Sequence, residues 1–163
     1  MRIGLLSDTH SFLDASILTH FRECDEIWHA GDFGNARLAD ELAAFKPLKG
    51  VYGNIDGQDV RVAFPETAIF ECEGVKVLMK HIGGYPGRYA PGVRPLLETV
   101  RPLLFISGHS HILKVVYDKK LGLLHINPGA AGKEGFHRVR TITRFTITGE
   151  RIHDLEVIEL GNR

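Results

Sequence analysis

The stretch Arg2-Ile3-Gly4-Leu5-Leu6-Ser7-Asp8-Thr9-His10 joins a short apolar run to the polar side chains that directly follow it. A short apolar run bounded by glycine or polar residues predicts a buried strand. Four later runs have the same form and lead to Asp32, to Asn54, to His81, and to His109 and His111. Ligands of open α/β sheets bind outside the carboxyl ends of the strands, so we expect these side chains to meet at one sheet edge. The pattern predicts an enzyme.

The first third of the chain alternates between strand and helix patterns. A helix capped by Asp14 or Ser16 is expected to run to about Glu23, and a second helix is expected at 35–45. A further strand follows at 50–52. Strand, helix, strand, helix, strand is the βαβ pattern of a parallel sheet.

The remaining two thirds of the chain favour antiparallel pairing. Two strands flank the short turn Glu73-Gly74, and later runs pair in the same way, with one more helix at 91–100. We therefore predict a mixed α/β fold in which two sheets pack face to face with helices outside. We expect one domain, residues 1–163, without repeats or linkers.

The composition limits the classes of partner. The formal net charge is zero with histidine counted neutral, and the basic residues form no long run, so we do not expect nucleic acid as a partner. No apolar stretch approaches the roughly 18 residues that span a bilayer. The first predicted strand begins at residue 2, so we expect no signal-like segment before it. We expect a cytoplasmic protein with no membrane association. Cys24 and Cys72 are expected to be buried, reduced thiols.

The polar residues that follow the strands are potential metal ligands, and their spacing supports a metal site. Asp8 and His10 stand two residues apart, as do His109 and His111, and side chains at this spacing share one face of an extended segment. A glycine precedes Asp32, and also Asn54 and His109, where it permits a sharp turn. Mixed nitrogen and oxygen ligands suit Mn²⁺, Fe²⁺, Zn²⁺ or Ni²⁺ better than Ca²⁺ or Mg²⁺.

Five motifs in chain order resemble the signature of the calcineurin-like metallophosphoesterases. They are Asp8-x-His10, Gly31-Asp32, Gly53-Asn54, His81 and Gly108-His109-x-His111. The likeness is closest to the small bacterial and archaeal phosphodiesterases of that superfamily, whose relatives include a retromer scaffold subunit. It covers essentially the whole chain, and Asn127-Pro128-Gly129 matches a further turn of that branch. The resemblance implies a four-layer αββα sandwich.

The resemblance also implies a dinuclear metal centre, with Mn²⁺ favoured. One ion would be held by Asp8, His10, Asp32 and His111, and the other by Asp32, Asn54, His81 and His109. Asp32 would bridge the two ions. The nucleophile would then be a metal-bound hydroxide that attacks the phosphorus in line. Asp32, Asn54 and His81 are the expected catalytic residues, with Asn54 also contacting the substrate phosphate.

The sequence departs from the family beside this centre. Many members carry a histidine directly after the asparagine, where it protonates the leaving oxygen, whereas this chain has Ile55. We therefore expect a preference for phosphodiesters whose leaving group departs readily, such as aryl or cyclic diesters. Asp56 either folds back to support Asn54 or simply forms a turn before Gly57.

Other polar residues receive weaker assignments. Arg88 and Tyr89 end a glycine-rich loop after His81 and are the expected substrate contacts. His29 and His125 are expected to be satisfied polar groups, at most hydrogen-bonded to a ligand, and His137 is expected to have a surface or packing role. The basic residues after the Asn-Pro-Gly turn could add positive charge to the site's mouth; they are Lys133, Arg138 and Arg140, together with His137.

The function predicted from the sequence is hydrolysis of small phosphodiesters, with a small phosphodiester as the partner. The alternatives left open are a phosphomonoesterase, a nuclease, and a protein-binding scaffold of the same fold. Formation of homo-oligomers is also expected, although no motif specifies it.

Overall fold

The computed structural model describes residues 1–163, which form twelve strands and four helices. The strands are β1 (Arg2–Leu6), β2 (Glu26–His29), β3 (Leu48–Gly50), β4 (Thr67–Cys72), β5 (Val75–Lys80), β6 (Gly84–Tyr85), β7 (Arg88–Tyr89), β8 (Leu104–Ile106), β9 (Leu113–Asp118), β10 (Leu123–Pro128), β11 (Val139–Thr148) and β12 (Arg151–Asn162). The helices are α1 (Ala15–His20), α2 (Ala36–Phe45), α3 (Gln58–Arg61) and α4 (Val93–Val100).

Ten of the strands form two mixed sheets of five strands each. The first sheet has the order β12-β11-β1-β2-β3, in which β1, β2 and β3 are parallel and β11 and β12 are antiparallel additions. The second sheet has the order β4-β5-β8-β10-β9, with a parallel centre and antiparallel edges. The strands β6 and β7 form a separate small hairpin. The predicted mixture of parallel and antiparallel pairing is confirmed.

Three apolar clusters define the layers. The largest lies between the sheets and contains side chains of both, such as Trp28 and Phe145 from one sheet and Val77 and Ile106 from the other. A second cluster covers the outer face of the first sheet with α1 and α2, and a third places Val93 and Leu97 of α4 on the second sheet. The order helix, sheet, sheet, helix confirms the four-layer sandwich. No helix combines the length and the apolar character needed to cross a membrane.

Some boundaries differ from the predicted ones. The third strand ends at Gly50, where the apolar pattern predicted it to begin, because β3 pairs with β2 through residues 48–50. Helix α1 ends at His20, three residues before the predicted end, and Asp14 rather than Ser16 is its N-cap, accepting a hydrogen bond from Ser16 N. Helix α3 and the β6–β7 hairpin were not predicted, since elements of two to four residues have too little periodicity. Both cysteines are buried and free.

Candidate metal centre

All seven ligands predicted from the sequence lie together at one edge of the sandwich. The loops that follow β1, β2, β3, β5 and β8 bring them there. The potential ligand atoms of Asp8, His10 and His111 lie within 4.8 Å of one another, and the same holds for Asp32, His81 and His109. Asn54 joins the second group, because its Oδ1 is 3.1 Å from His81 Nε2. We call these residues the seven-residue cluster.

The backbone of the cluster is not extended, which corrects one expectation. Five of its members have left-handed backbone conformations, with φ of 55° at Asp8, 46° at His10, 59° at Asp32, 67° at His109 and 58° at His111. Each such residue costs about 1–3 kcal/mol, and such strain concentrates at functional sites. The paired side chains therefore converge because the chain turns sharply after each strand, not because they alternate along one.

The glycines before the ligands have two different roles. Gly31 adopts φ of +100°, which few other residues tolerate. Gly53 and Gly108 have no such φ, but they leave space. A Cβ on Gly53 would lie 1.9 Å from Asp32 Oδ1, and one on Gly108 would lie 2.2 Å from Ser7 Oγ. Glycine is thus needed there for close packing of the loops around the cluster.

Asp32 lies between the two groups of ligands. Its Oδ1 accepts a hydrogen bond of 3.1 Å from the backbone N–H of Ile55. Its Oδ2 is 3.2 Å from His81 Nε2 and 3.6 Å from His10 Nε2. Burial opposes ionisation of this carboxyl, but His81, the backbone N–H of Ile55 and His10 together lower the pKa of Asp32. Asp32 is therefore an anion that faces a histidine of each group.

The protonation of His81 follows from its partners. Its Nδ1 is 2.7 Å from the carbonyl oxygen of Ala30, which only accepts, so Nδ1 carries the proton and donates. In the neutral ring Nε2 then has a lone pair, yet its neighbours are the oxygens of Asp32 and Asn54. Burial favours the neutral ring, but Asp32, Asp8 and the carbonyl of Ala30 together raise the pKa of His81. These facing acceptors need either a proton or a cation between them.

His111 is held by a second histidine. The Nε2 of His137 is 2.9 Å from the carbonyl oxygen of Gly132 and donates to it. Neutral His137 therefore accepts at Nδ1 from His111 Nδ1, 3.3 Å away, which leaves His111 Nε2 free of a proton. That nitrogen is 3.1 Å from Asp8 Oδ1. The adjacent Asp8 carboxylate raises the pKa of His111, so a proton and a metal ion would compete for this position.

Two buried ligand atoms lack a hydrogen-bond partner. They are Asp8 Oδ1 and His10 Nε2, both in the first group. The other oxygen of Asp8 accepts from Ser7 Oγ at 2.6 Å and from His109 N at 3.1 Å, so the carboxylate is fixed with Oδ1 toward the histidines. Burying unpaired acceptors costs several kcal/mol unless a cation or donor satisfies them. The donor set and its orphaned atoms fit divalent cations.

A buried histidine ties two of the ligand loops together. The N–H of Gly31 donates to His29 Nδ1 at 3.1 Å, so the neutral ring donates from Nε2 to Thr9 Oγ1 at 3.0 Å. The Thr9 hydroxyl donates to the carbonyl oxygen of Phe33 at 3.1 Å. Burial lowers the pKa of His29 to about 3, so the ring stays uncharged. His29 thus supports the loops and does not contact a ligand side chain, as expected.

Asp56 and Asn127 hold the remaining loops. The carboxylate of Asp56 is buried and accepts from Gly53 N and Gly34 N, both at 2.8 Å. Asp56 therefore folds back onto the glycine before Asn54, and it forms no hydrogen bond with Asn54 itself. Asn127 Nδ2 donates to Gly108 O at 2.9 Å and fixes the loop that carries His109.

The basic residues predicted at the mouth have different positions. Arg140 is only 6% exposed and donates to Asp14 Oδ2 at 2.8 Å, so it cannot reach a ligand. Lys133 stacks on Phe12, with Nζ 4.5 Å from the ring centroid. His137 packs against His111 as described, and the sequence analysis did not assign it this contact with a ligand. The sequence offers no spacing signal for this contact, because residues 133–138 form no regular element.

Two cavities open beside the cluster, and Ile82 lines both. One, of about 390 Å³, is bounded by the β6–β7 hairpin and reaches His109; Arg88 and Tyr89 line it. The hydroxyl of Tyr89 donates to Asp118 Oδ2 at 2.7 Å, so it already has a protein partner. The other, of about 280 Å³, reaches Asn54 and His81 and is lined by Arg61 and Lys80. Sequence reasoning missed Arg61, because α3 was not predicted.

Fold and cluster together define a metal-binding αββα sandwich with its site at the strand ends. The model of the calcineurin-like phosphoesterase superfamily domain matches residues 1–150. The chain belongs to this superfamily, whose members are metallophosphoesterases that use divalent metals.

Its relatives agree with this assignment. The chain is 30% identical to a probable metallophosphoesterase of Methanothermobacter thermautotrophicus, over 99% of this chain and 94% of that protein. It shares the fold of a novel archaeal phosphodiesterase, with a TM-score of 0.77, 21% identity and coverage of 98% and 100% of the two chains. It also shares the fold of Vps29 from Entamoeba histolytica complexed with Zn²⁺, with a TM-score of 0.76, 15% identity and 98% coverage of both chains.

Proposed function

We propose that this metallophosphoesterase is a dinuclear phosphodiesterase that hydrolyses small phosphodiesters. The observation that carries the proposal is the position of Asp32, whose Oδ2 faces His10 on one side and His81 on the other. Asp32 belongs to one set of ligand atoms within 4.8 Å of one another, with His81 and His109, and Asp8, His10 and His111 form the other set. A carboxylate between two such sets is suited to bridge two cations, as in two-metal hydrolases.

The seven residues of the cluster would hold two metal ions. Asp8, His10 and His111 would hold one ion, His81, His109 and Asn54 the other, and Asp32 would bridge. When bound, divalent ions stabilise charge on phosphoryl oxygens and make water acidic enough to attack near neutral pH. Asn54 is exposed, and with Oδ1 toward His81 its amide nitrogen is available to donate to a phosphoryl oxygen.

A diester is favoured over a monoester by the shape of the site. Two cavities meet the cluster, one at His109 and the other at Asn54 and His81, which leaves room for two ester arms. Ile55 is 45% exposed and has no proton to donate, so its side chain cannot assist an alkoxide leaving group. We therefore propose diesters with readily departing leaving groups, such as aryl or cyclic diesters, as the substrate class.

The metal is proposed to be Mn²⁺, with Zn²⁺, Fe²⁺ and Ni²⁺ as the alternatives that the same ligands accept. The scaffold alternative rests on likeness to Vps29 at 15% identity, which is a likeness of fold. The orphaned acceptors of Asp8 and His10 favour a metal-loaded enzyme instead.

The test is hydrolysis of bis-p-nitrophenyl phosphate and p-nitrophenyl phosphate by metal-depleted protein, after adding back each candidate metal. The proposal expects faster turnover of the diester, lost in EDTA and restored by Mn²⁺. Faster turnover of the monoester would indicate a phosphatase, and degradation of single-stranded DNA would indicate a nuclease. No hydrolysis with any metal would favour the scaffold.

A further inference from the structure

The cavity beside the β6–β7 hairpin, which we call the hairpin cavity, is continuous with the seven-residue cluster. It has a volume of about 390 Å³, within the range of small-molecule sites. Its walls are the segment 82–91 and the outer face of β9 and β10, and His109 lies at its inner end. A substrate held at the cluster can therefore extend an ester arm into it.

The charges in the hairpin cavity are all positive. Lys114 and Arg88 line it, no aspartate or glutamate does, and neither cation forms an ion pair anywhere in the structure. Lys114 Nζ lies 3.5 Å from the ring centroid of Tyr85, and Tyr85 pairs with Arg88 across the hairpin. One cation thus lies over the Tyr85 ring, and the other belongs to the residue paired with Tyr85 across the hairpin. Two cations that line one cavity without a carboxylate repel each other, and an anion bound there would relieve this repulsion.

A buried histidine contributes an unsatisfied acceptor to the same wall. Ser107 Oγ donates to Gly84 O at 3.2 Å, so it accepts from His125 Nε2, 3.0 Å away. His125 Nδ1 then carries no proton, and it is buried without a partner. Burial, with a smaller contribution from Lys114, lowers the pKa of His125 to about 4, so the ring is neutral. The cavity therefore presents two cations, and the unpartnered ring nitrogen of His125 lies buried behind its wall.

We propose that the hairpin cavity binds an ester arm carrying a second anionic group, a carboxylate or a phosphate, between Arg88 and Lys114. This inference rests on the proposed function, because the other end of the same substrate is the phosphodiester at the cluster. It narrows the substrate class from small diesters in general to diesters with a charged arm. Guanidinium and ammonium groups both bind such anions through charge-assisted hydrogen bonds.

The test uses three p-nitrophenyl diesters whose second arm is phenyl, carboxyphenyl or phosphorylated phenyl. The ratio of kcat/KM between each anionic arm and the neutral arm is measured for the Mn²⁺-loaded protein. We expect a ratio of about ten or more, because one charge-assisted hydrogen bond is worth about that factor. Comparison of the two anionic arms decides between carboxylate and phosphate.

Arg88→Gln and Lys114→Met should each bring the ratio toward one. Lys46→Met is the matched control, since Lys46 also stands over an aromatic ring, Phe45, but lies outside the cavity. A ratio near one in the parent protein, or a ratio that neither substitution changes, would overturn the inference while leaving the diesterase intact.

Absence of hydrolysis would instead be a failure of the proposed function. In that case calorimetric binding of the same diesters in EDTA decides the inference. Tighter binding of an anionic arm that is lost in both variants would support it, and equal or absent binding of all three would overturn it.

Discussion

His137 Nδ1 lies 3.3 Å from His111 Nδ1, and this contact leaves Nε2 of His111 directed at Asp8. Gly132 O anchors the other nitrogen of His137 at 2.9 Å. When the second nitrogen of a metal-ligating histidine is held in this way, the ring is oriented and fixed in one tautomer. In other metal sites, loss of such support weakens metal binding roughly 10–100-fold.

We therefore expect His137→Ala to weaken Mn²⁺ binding by about tenfold or more, with little change in the thermal unfolding of the metal-free protein. Equilibrium dialysis measures the first quantity and calorimetry the second. His153→Ala is the control, because the side-chain hydrogen bonds of His153 are to Thr148 and Asp154 on the final hairpin. Equal metal affinity in the two variants would show that His137 does not position His111.

Ile55 gives a direct test of the missing proton donor. Its backbone N–H orients Asp32, while its side chain is 45% exposed, so a substitution there keeps the support of the carboxylate. The parent should show a steep fall of rate with rising leaving-group pKa. Ile55→His should flatten that dependence by speeding diesters with poor leaving groups about 10²-fold, a typical contribution of general acid catalysis.

Ile55→Gln is the matched control, since the glutamine side chain is polar but cannot act as a general acid. A flat dependence in the parent would contradict the account of leaving-group preference. The same slope in all three proteins would show that residue 55 does not control it.

Asp14 predicts how stability depends on pH away from the metal site. The Ser16 hydroxyl and amide, followed by Arg140, lower the pKa of Asp14 to about 2 from its ordinary 3.8. Since the folded pKa is below the unfolded one, the stabilisation is complete above about pH 4 and disappears as the pH falls toward 2. Asp14→Asn keeps a capping side chain but removes the charge.

We expect Asp14→Asn to lower the free energy of unfolding by about 1 kcal/mol at pH 6, and by less as the pH approaches 2. Urea unfolding in EDTA at several pH values measures this. Asp40→Asn, on the exposed face of α2, is the control. A difference between parent and Asp14→Asn that stays constant down to pH 2 would argue against a role for the charge.

The positions of the ligands could be predicted from the sequence because each follows a strand, and strand ends are easy to recognise. The local geometry could not. Left-handed backbone at Asp8, His10 and Asp32 is imposed by tertiary packing, and non-glycine residues rarely adopt it. The contact between His111 and His137 spans 26 residues and an irregular segment, so no period in the sequence indicates it.

For the fold as well, some features could be predicted from the sequence and others could not. Periodicity predicted the main strands, the helices α1, α2 and α4, and the two packed sheets. It did not predict α3 or the β6–β7 hairpin, which have four and two residues per element. These short elements carry Arg61 and Arg88 to the two cavities, so the residues expected to contact substrate are predicted less completely than the metal ligands.

The central claim is that Asp32 joins two groups of ligands into a dinuclear centre. The most direct test is the number of Mn²⁺ ions bound per chain, measured by equilibrium dialysis and elemental analysis on the parent and on Asp32→Asn. Two ions per parent chain are predicted, with at least one lost in Asp32→Asn together with hydrolysis of bis-p-nitrophenyl phosphate. One ion or none in the parent at saturating Mn²⁺, or unchanged binding in Asp32→Asn, would contradict the account.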